Sequence, residues 1–378
     1  MENLFLTPMD CLLVSLKEND FDHPGKLHMK ILLLTPNLSE IGGISRYSRE
    51  LFNSLREKRI KVSKLELVEH ISPLLDYILI TPLRVWSMSL RVDVAHFTFP
   101  CHGGFSLISQ LLIRKNCPVV VTNYWDFWPY FFVEQSQGFK KFVSSFVDIY
   151  SMRYCLTMAD VVIATSKQGK VELTQIFGLP KEKVVIVPPA ISSRFLRPIR
   201  LGGKQPRVRR IVGYIGPLSG RKNVESLIMA FREAQQFNPN LELHIYSGTK
   251  PDKTLEKLLF QTPNTHFFGF VPEEALCKIY SSFDVFVFPS LYEGWGLPIL
   301  EAQALGIPTI VFEYAKIPEE VTRYSFKARD IHDMARLMAT AEMEEAQRRE
   351  MINYARSFTW EKTISKILNV YEKALCGN

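Results

Sequence analysis

The chain has 378 residues, with 46 Lys plus Arg against 39 Asp plus Glu and a formal net charge of +7. At roughly 150 residues per domain, this length predicts two domains, each able to bury its own core. Hydrophobic residues at 47% and charged residues at 22% exclude a disordered, collagenous or low-complexity chain. The mild basic excess leaves nucleic acid, an anionic membrane and phosphorylated small molecules as partner classes.

Residues 1–28 read as a tail, with Glu2 and Asp10 around an apolar run too short and too acidic for a secretory signal. From Met29 the pattern changes. Leu32 to Leu34 form an apolar strand, Gly42 and Gly43 a loop, and Ile44, Tyr47, Leu51 and Leu55 recur at helical spacing while Arg46, Arg49 and Arg56 point elsewhere. Further strands are predicted at 92–97, 118–124, 159–166 and 183–188, with helical patterns between them. That alternation predicts a parallel sheet with right-handed crossovers over residues 29–190. Residues 191–209, rich in Pro, Gly and Arg, read as a linker.

A second series over 210–357 has strands at 210–216, 242–248, 265–271, 284–290 and 308–313. Residues 358–378 close the chain with a helix capped by Thr359 and anchored by Trp360. The predicted class is α/β, with two Rossmann-like halves facing across a cleft. Six cysteines form no CxxC pair and no zinc-ligand spacing, so reduced thiols in a cytoplasmic protein are expected. No apolar run approaches the length of a spanning helix; at most a peripheral membrane contact is expected.

Three loops carry chemistry. In FPSLYEGWGLPILEA, Glu293 sits between a strand end and a glycine turn, Pro298 suits a first helical turn, and Glu301 follows within the helix. Other Glu pairs at the same spacing, Glu225/Glu233 and Glu342/Glu350, lie in helical surface patterns. A strand–loop–helix unit of this kind offers free N–H groups and a positive dipole end to a phosphate. After Gly216, Arg221 and Lys222 arrive together at a predicted helix start, where two cations can neutralise a diphosphate. Gly42 and Gly43 allow a backbone to approach the same group.

These motifs, in this order, resemble the retaining GT-B glycosyltransferases of family 4: the Glu-x7-Glu stretch with its E-G-x-G-L-P core, the Arg-Lys pair, the glycine loop, and an F-x-W-E helix ending in Tyr371. The likeness covers nearly everything after Met29. It implies that Glu301 holds the ribose of a nucleotide sugar, UDP-, GDP- or ADP-linked. Gly294, Trp295, Gly296, Leu297 and Pro298 would line the donor sugar and phosphates, and Phe270 and Val271 would border the base. Arg221 and Lys222 would clamp the diphosphate with Gly216 close by, and Gly42 and Gly43 would approach it from the acceptor domain. Glu293 would face the sugar, as nucleophile or charge stabiliser. The resemblance further implies hexosyl transfer to a glycan, lipid-linked or small-molecule acceptor with retention, no cofactor, and a last helix that crosses back to the first domain.

The sequence departs from the family pattern after the central first-domain strand, where VVTNYWDFWP has no His. Asn123, Tyr124, Trp125, Asp126 and His96 are the candidates for sugar or acceptor contact there. The aromatic stretch 124–154 reads either as core and lid or as a hydrophobic acceptor channel or anionic-membrane contact. A GT-B sugar-nucleotide epimerase is the nearest rival reading. A basic nucleic-acid-binding protein is the rival from another class, although no nucleic-acid signature appears. The only Asp-x-Asp, Asp20-Phe21-Asp22, lies in the tail, and no metal site is expected.

Overall fold

The computed structural model describes residues 29–38, 42–66, 81–99, 107–125, 152–197 and 209–377. The tail, Asp126, most of 124–154 and the middle of the linker lie outside the described residues.

Two parallel sheets organise the chain. The first contains β1 (Lys30–Thr35), β2 (Lys61–Glu66), β3 (Val94–Phe97), β4 (Val119–Tyr124), β5 (Val161–Ala164) and β6 (Val184–Ile186), in the order β2-β1-β3-β4-β5-β6. The second contains β7 (Arg210–Ile215), β8 (Leu241–Tyr246), β9 (Thr265–Phe267), β10 (Val285–Val287), β11 (Thr309–Phe312) and β12 (Phe326–Ala328), in the order β12-β11-β10-β7-β8-β9. The central strands have the continuous apolar character required by helices on both faces. In β4 every residue is buried.

Ten of these twelve strands coincide with apolar runs in the sequence; β2 and β12 do not. Both are edge strands. β2 reads KVSKLE and buries only Leu65, so its polarity hides it from an apolar-run criterion.

Each sheet has a core on either face. On one face of the first sheet, Ile364, Ile367, Val370 and Tyr371 from the helix Trp360–Leu375 join Leu33, Tyr47, Leu51 and Val121. The last helix thus returns to the first domain. Thr359 caps it by accepting from the Lys362 N–H at 3.4 Å, and Trp360 packs on Tyr47 with ring centres 5.4 Å apart. Ile191 and Phe195, in the segment read as linker, are buried in the core of the second half. There β7 runs so close to Phe283 that a Cβ on Gly213 would lie 2.2 Å from the ring, which explains a glycine in mid-strand.

Candidate active site

Each sheet reverses its strand order once, between β1 and β3 in the first and between β7 and β10 in the second. At such a point the loops leaving neighbouring strands diverge to opposite faces and open a crevice at the carboxyl ends. The loops singled out in the sequence lie there. Gly42 and Gly43 follow β1, Gly216 to Lys222 follow β7, and Glu293 to Gly296 follow β10.

The loops after β7 and β10 meet in an ion cluster. Arg221 Nη1 donates to Glu293 Oε1 at 3.1 Å and to the Tyr292 carbonyl at 3.2 Å. Lys222 Nζ pairs with the same Glu293 oxygen and lies 5.2 Å from the Phe288 ring centre. Lys222 is 6% exposed and Glu293 8%, so this pair is buried, while Arg221 is partly exposed. Burial pushes the Glu293 carboxyl up, but Lys222 and Arg221 outweigh it and hold the group below the ordinary carboxylate range. The two cations stand one step before the helix expected there. They occupy a 3-10 turn, Gly220–Lys222, that ends in left-handed Asn223 (φ 54°), and the helix starts at Val224. The tight turn aims both side chains at the loop after β10.

The second carboxylate sits in the helix Leu297–Ala304, which begins after Gly296 at φ 102°, a conformation suited to glycine, with Pro298 in the first turn. Glu301 is buried. Its Oε1 accepts from Arg46 Nη1 at 2.7 Å and its Oε2 from the Tyr280 hydroxyl at 3.1 Å. Burial raises its carboxyl above the ordinary range despite Arg46 and Tyr280. Arg46 belongs to the helix Gly43–Glu57, so this ion pair bridges the two halves. Arg49 Nη2 to Glu273 (2.7 Å), Thr165 Oγ1 to the Gly294 carbonyl (3.0 Å) and the Tyr292 hydroxyl to Glu172 (2.9 Å) also cross the cleft.

Sequence reasoning did not assign Arg46 to the site. A signal was present. Arg46 lies in the first turn of its helix, where the dipole disfavours a cation and where no acidic residue offsets it.

The donor-side backbone lies as the loops dictate. Around Gly42 and Gly43, an added Cβ would meet nothing within 4 Å among the described residues. Phe270 is half exposed, and Val271 rests on the core of the second half. The Trp295 ring turns inward, edge-on to Phe358 at 5.5 Å, so this residue presents its backbone rather than its indole. Among the described residues, no His/Cys/Asp/Glu cluster with metal-binding proximity lies in these loops.

The candidate acceptor contacts are arranged differently from the expectation. His96 is fully buried; its Nε2 bonds Asn123 Oδ1 at 3.0 Å and its Nδ1 meets the Tyr371 hydroxyl. His96 therefore ties Tyr371 of the returning helix to the first sheet, with Asn123 on its other nitrogen, and both residues are buried. Tyr124 is buried and donates to Glu172 at 3.2 Å, and Trp125 Nε1 donates to the Thr98 carbonyl at 2.7 Å.

This network has a pH signature. Burial pushes His96 down to about 4, with Asn123 acting in the opposite direction. The unfolded chain takes up a proton near pH 6.5 that the folded chain refuses until about 4, so stability is lost as pH falls through that window, by up to about 3 kcal/mol. The urea midpoint should accordingly drop between about pH 7 and about pH 5, and His96→Gln should flatten that dependence. An equal slope in the variant would remove His96 as its source.

Two family models match the chain: Glycosyltransferase Family 4 over residues 41–195 and Glycosyl transferases group 1 over residues 203–358. O-antigen chain mannosyltransferase B of Escherichia coli is 28% identical over 242 residues, covering 59% of this chain and 63% of that protein. The serotype-specific mannosyltransferase WbdA of Escherichia coli is 26% identical over 237 residues, covering 57% of this chain and 29% of that protein. The match thus spans less than two thirds of either relative. Among solved structures, sucrose-phosphate synthase from Thermosynechococcus elongatus aligns with a TM-score of 0.70 and 19% identity, over 93% of this chain and all of that one. WaaG, a glycosyltransferase involved in lipopolysaccharide biosynthesis, aligns with a TM-score of 0.65 and 14% identity, over 92% and 100%. With two parallel sheets, their switch-point loops and both family matches in agreement, the chain belongs to the GT-B glycosyltransferases of the family 4, group 1 type.

Proposed function

We propose that the chain transfers a hexose from a nucleoside-diphosphate sugar to a hydroxyl of a glycan, lipid-linked or small-molecule acceptor, with retention of configuration and without a metal ion. The observation that carries this reading is the convergence of Arg221 and Lys222 on Glu293 at the switch point of the second sheet. As the bond from the anomeric carbon to the diphosphate breaks, negative charge grows on the leaving oxygen. Fixed Arg and Lys N–H donors in a water-poor crevice stabilise that charge without reorganising.

Glu293 then has a definite part. With two cations already on its Oε1, it is a poor nucleophile, and its role is to hold Arg221 and Lys222 in place. Glu301 takes the ribose hydroxyls, sharing its oxygens with Arg46 and Tyr280. The backbone of Gly294 to Pro298 lines sugar and phosphates, Gly216 flanks the diphosphate, and Gly42 and Gly43 close on it from the first half. Phe270 and Val271 border the base. A lipid-linked acceptor would bring the first half to the cytoplasmic face of an anionic membrane.

Both relatives described above are named mannosyltransferases, and two structural neighbours are described in complex with UDP, so GDP-mannose and UDP-sugars are the donors to try first. The test is donor turnover in the presence of EDTA, read as nucleoside diphosphate released, with the product anomer assigned by NMR. One donor should turn over in EDTA with no added magnesium or manganese. An epimerised donor without transfer would convert the reading to an epimerase, and a rate that needs added magnesium or manganese would remove the metal-free mechanism.

A further inference from the structure

β8 and β9 form the outer edge of the second sheet, on the far side of β7 from β10. In their parallel register His244 stands opposite His266, and Glu242, two residues before His244, shares its face. The three side chains converge, with one ligand atom from each within 4.8 Å of the other two. His244 Nε2 and Glu242 Oε2 are 3.2 Å apart, and the two imidazole rings meet edge to face at 5.3 Å.

Two details distinguish this cluster from a group of solvated polar side chains. His244 Nδ1 is buried and has no hydrogen-bond partner, an arrangement native interiors avoid. Glu242 is already oriented, because Arg209 holds its Oε1 while Oε2 faces the imidazole. A carboxylate steered by an outer hydrogen-bond partner is the arrangement found around bound metals. Two imidazoles and one carboxylate are the donor set that zinc and its neighbours in the transition series accept, with further positions left to water.

The edge strand is held by its backbone ladder to β8 with little apolar packing. β9 has three residues and none of them is buried, so apolar packing does little to fix it. We propose that Glu242, His244 and His266 form a divalent transition-metal site of zinc type that staples β9 to β8. β9 continues into Phe268, whose ring stacks on Tyr246 at 4.7 Å, and into Gly269, whose carbonyl accepts from the Ser247 N–H at 2.9 Å. The staple therefore fixes the start of the turn carrying Phe270. Because β7 separates this edge from β10 and its loop, the ion takes no part in bond breaking, and the site stands independently of the sugar-transfer reading.

The test uses the tag-free, metal-stripped full chain. Zinc is titrated by calorimetry, with cobalt(II) absorption as an optical report of imidazole ligation. Saturable one-to-one binding is expected, with a zinc-dependent rise in melting temperature. His266→Ala, on an exposed side chain, and Glu242→Gln should each weaken binding by about 10-fold or more. Absence of zinc binding by the wild-type chain, or wild-type affinity in both variants, would overturn the assignment.

Discussion

Replacing Lys222 with alanine should lower sugar turnover by about 100-fold or more, the range seen when one preorganised donor to a developing anion is removed. The same change also acts on the fold. It leaves Glu293 buried with Arg221 as its remaining cation, and breaking a buried ion pair costs about 3–5 kcal/mol. With Arg221 still at 3.1 Å, the lower end of that range is expected. Glu293 would then titrate higher. In the native chain its lowered carboxyl stabilises the fold above the ordinary carboxylate range, and this contribution disappears as pH falls through the folded value. A second substitution separates the two effects. Lys222→Ala with Glu293→Gln removes the uncompensated charge, so the denaturation midpoint should recover by more than half while turnover stays low. If turnover recovers with stability, Lys222 serves only to neutralise Glu293. Wild-type turnover in Lys222→Ala alone would end the diphosphate assignment.

Much of this arrangement was legible because strands and glycine turns leave strong local signals. The alternation of apolar runs and amphipathic helices shows the two parallel sheets, and the motif after 284–290 shows where Glu293 and Glu301 leave the second one. The edge strands β2 and β12 left no such signal, since an edge tolerates lysine and serine as readily as valine. The partners of polar residues near the ends of β3 and β4 were hidden for a related reason. Asn123 bonds His96, and the other partner of His96, Tyr371, is 275 positions away in sequence and arrives only when the last helix folds back. Arg46 was hidden in the opposite way. Its pattern is that of a solvated helical face, and only the approach of the second half turns it into a partly buried partner of Glu301. Contacts between the halves depend on their relative placement, which no local periodicity encodes.

That contact leads to the other large expected effect, on nucleotide affinity. Glu301→Gln keeps the shape of the side chain but loses the charge that strengthens hydrogen bonds to ribose hydroxyls. Hydrogen bonds to a charged group contribute about 1.5–3 kcal/mol, so affinity should fall by about 10- to 100-fold. Arg46→Ala should act through the same carboxylate. Without Arg46, Glu301 keeps Tyr280 as its hydrogen-bond partner in the pair described above, and burial, already dominant, raises it further. A protonated carboxyl donates through one oxygen where the ribose needs two acceptors. Nucleotide affinity in Arg46→Ala should therefore decline at a higher pH than in the wild type, as pH is lowered. Measured as a double-mutant cycle, the pair should be strongly non-additive: once Glu301 is glutamine, removing Arg46 should change affinity little. Additive losses would mean instead that Arg46 contacts the nucleotide on its own account. Non-additivity together with the shifted pH profile would make an arginine of the first half part of the ribose site on the second, so that donor binding and closure of the cleft draw on the same carboxylate.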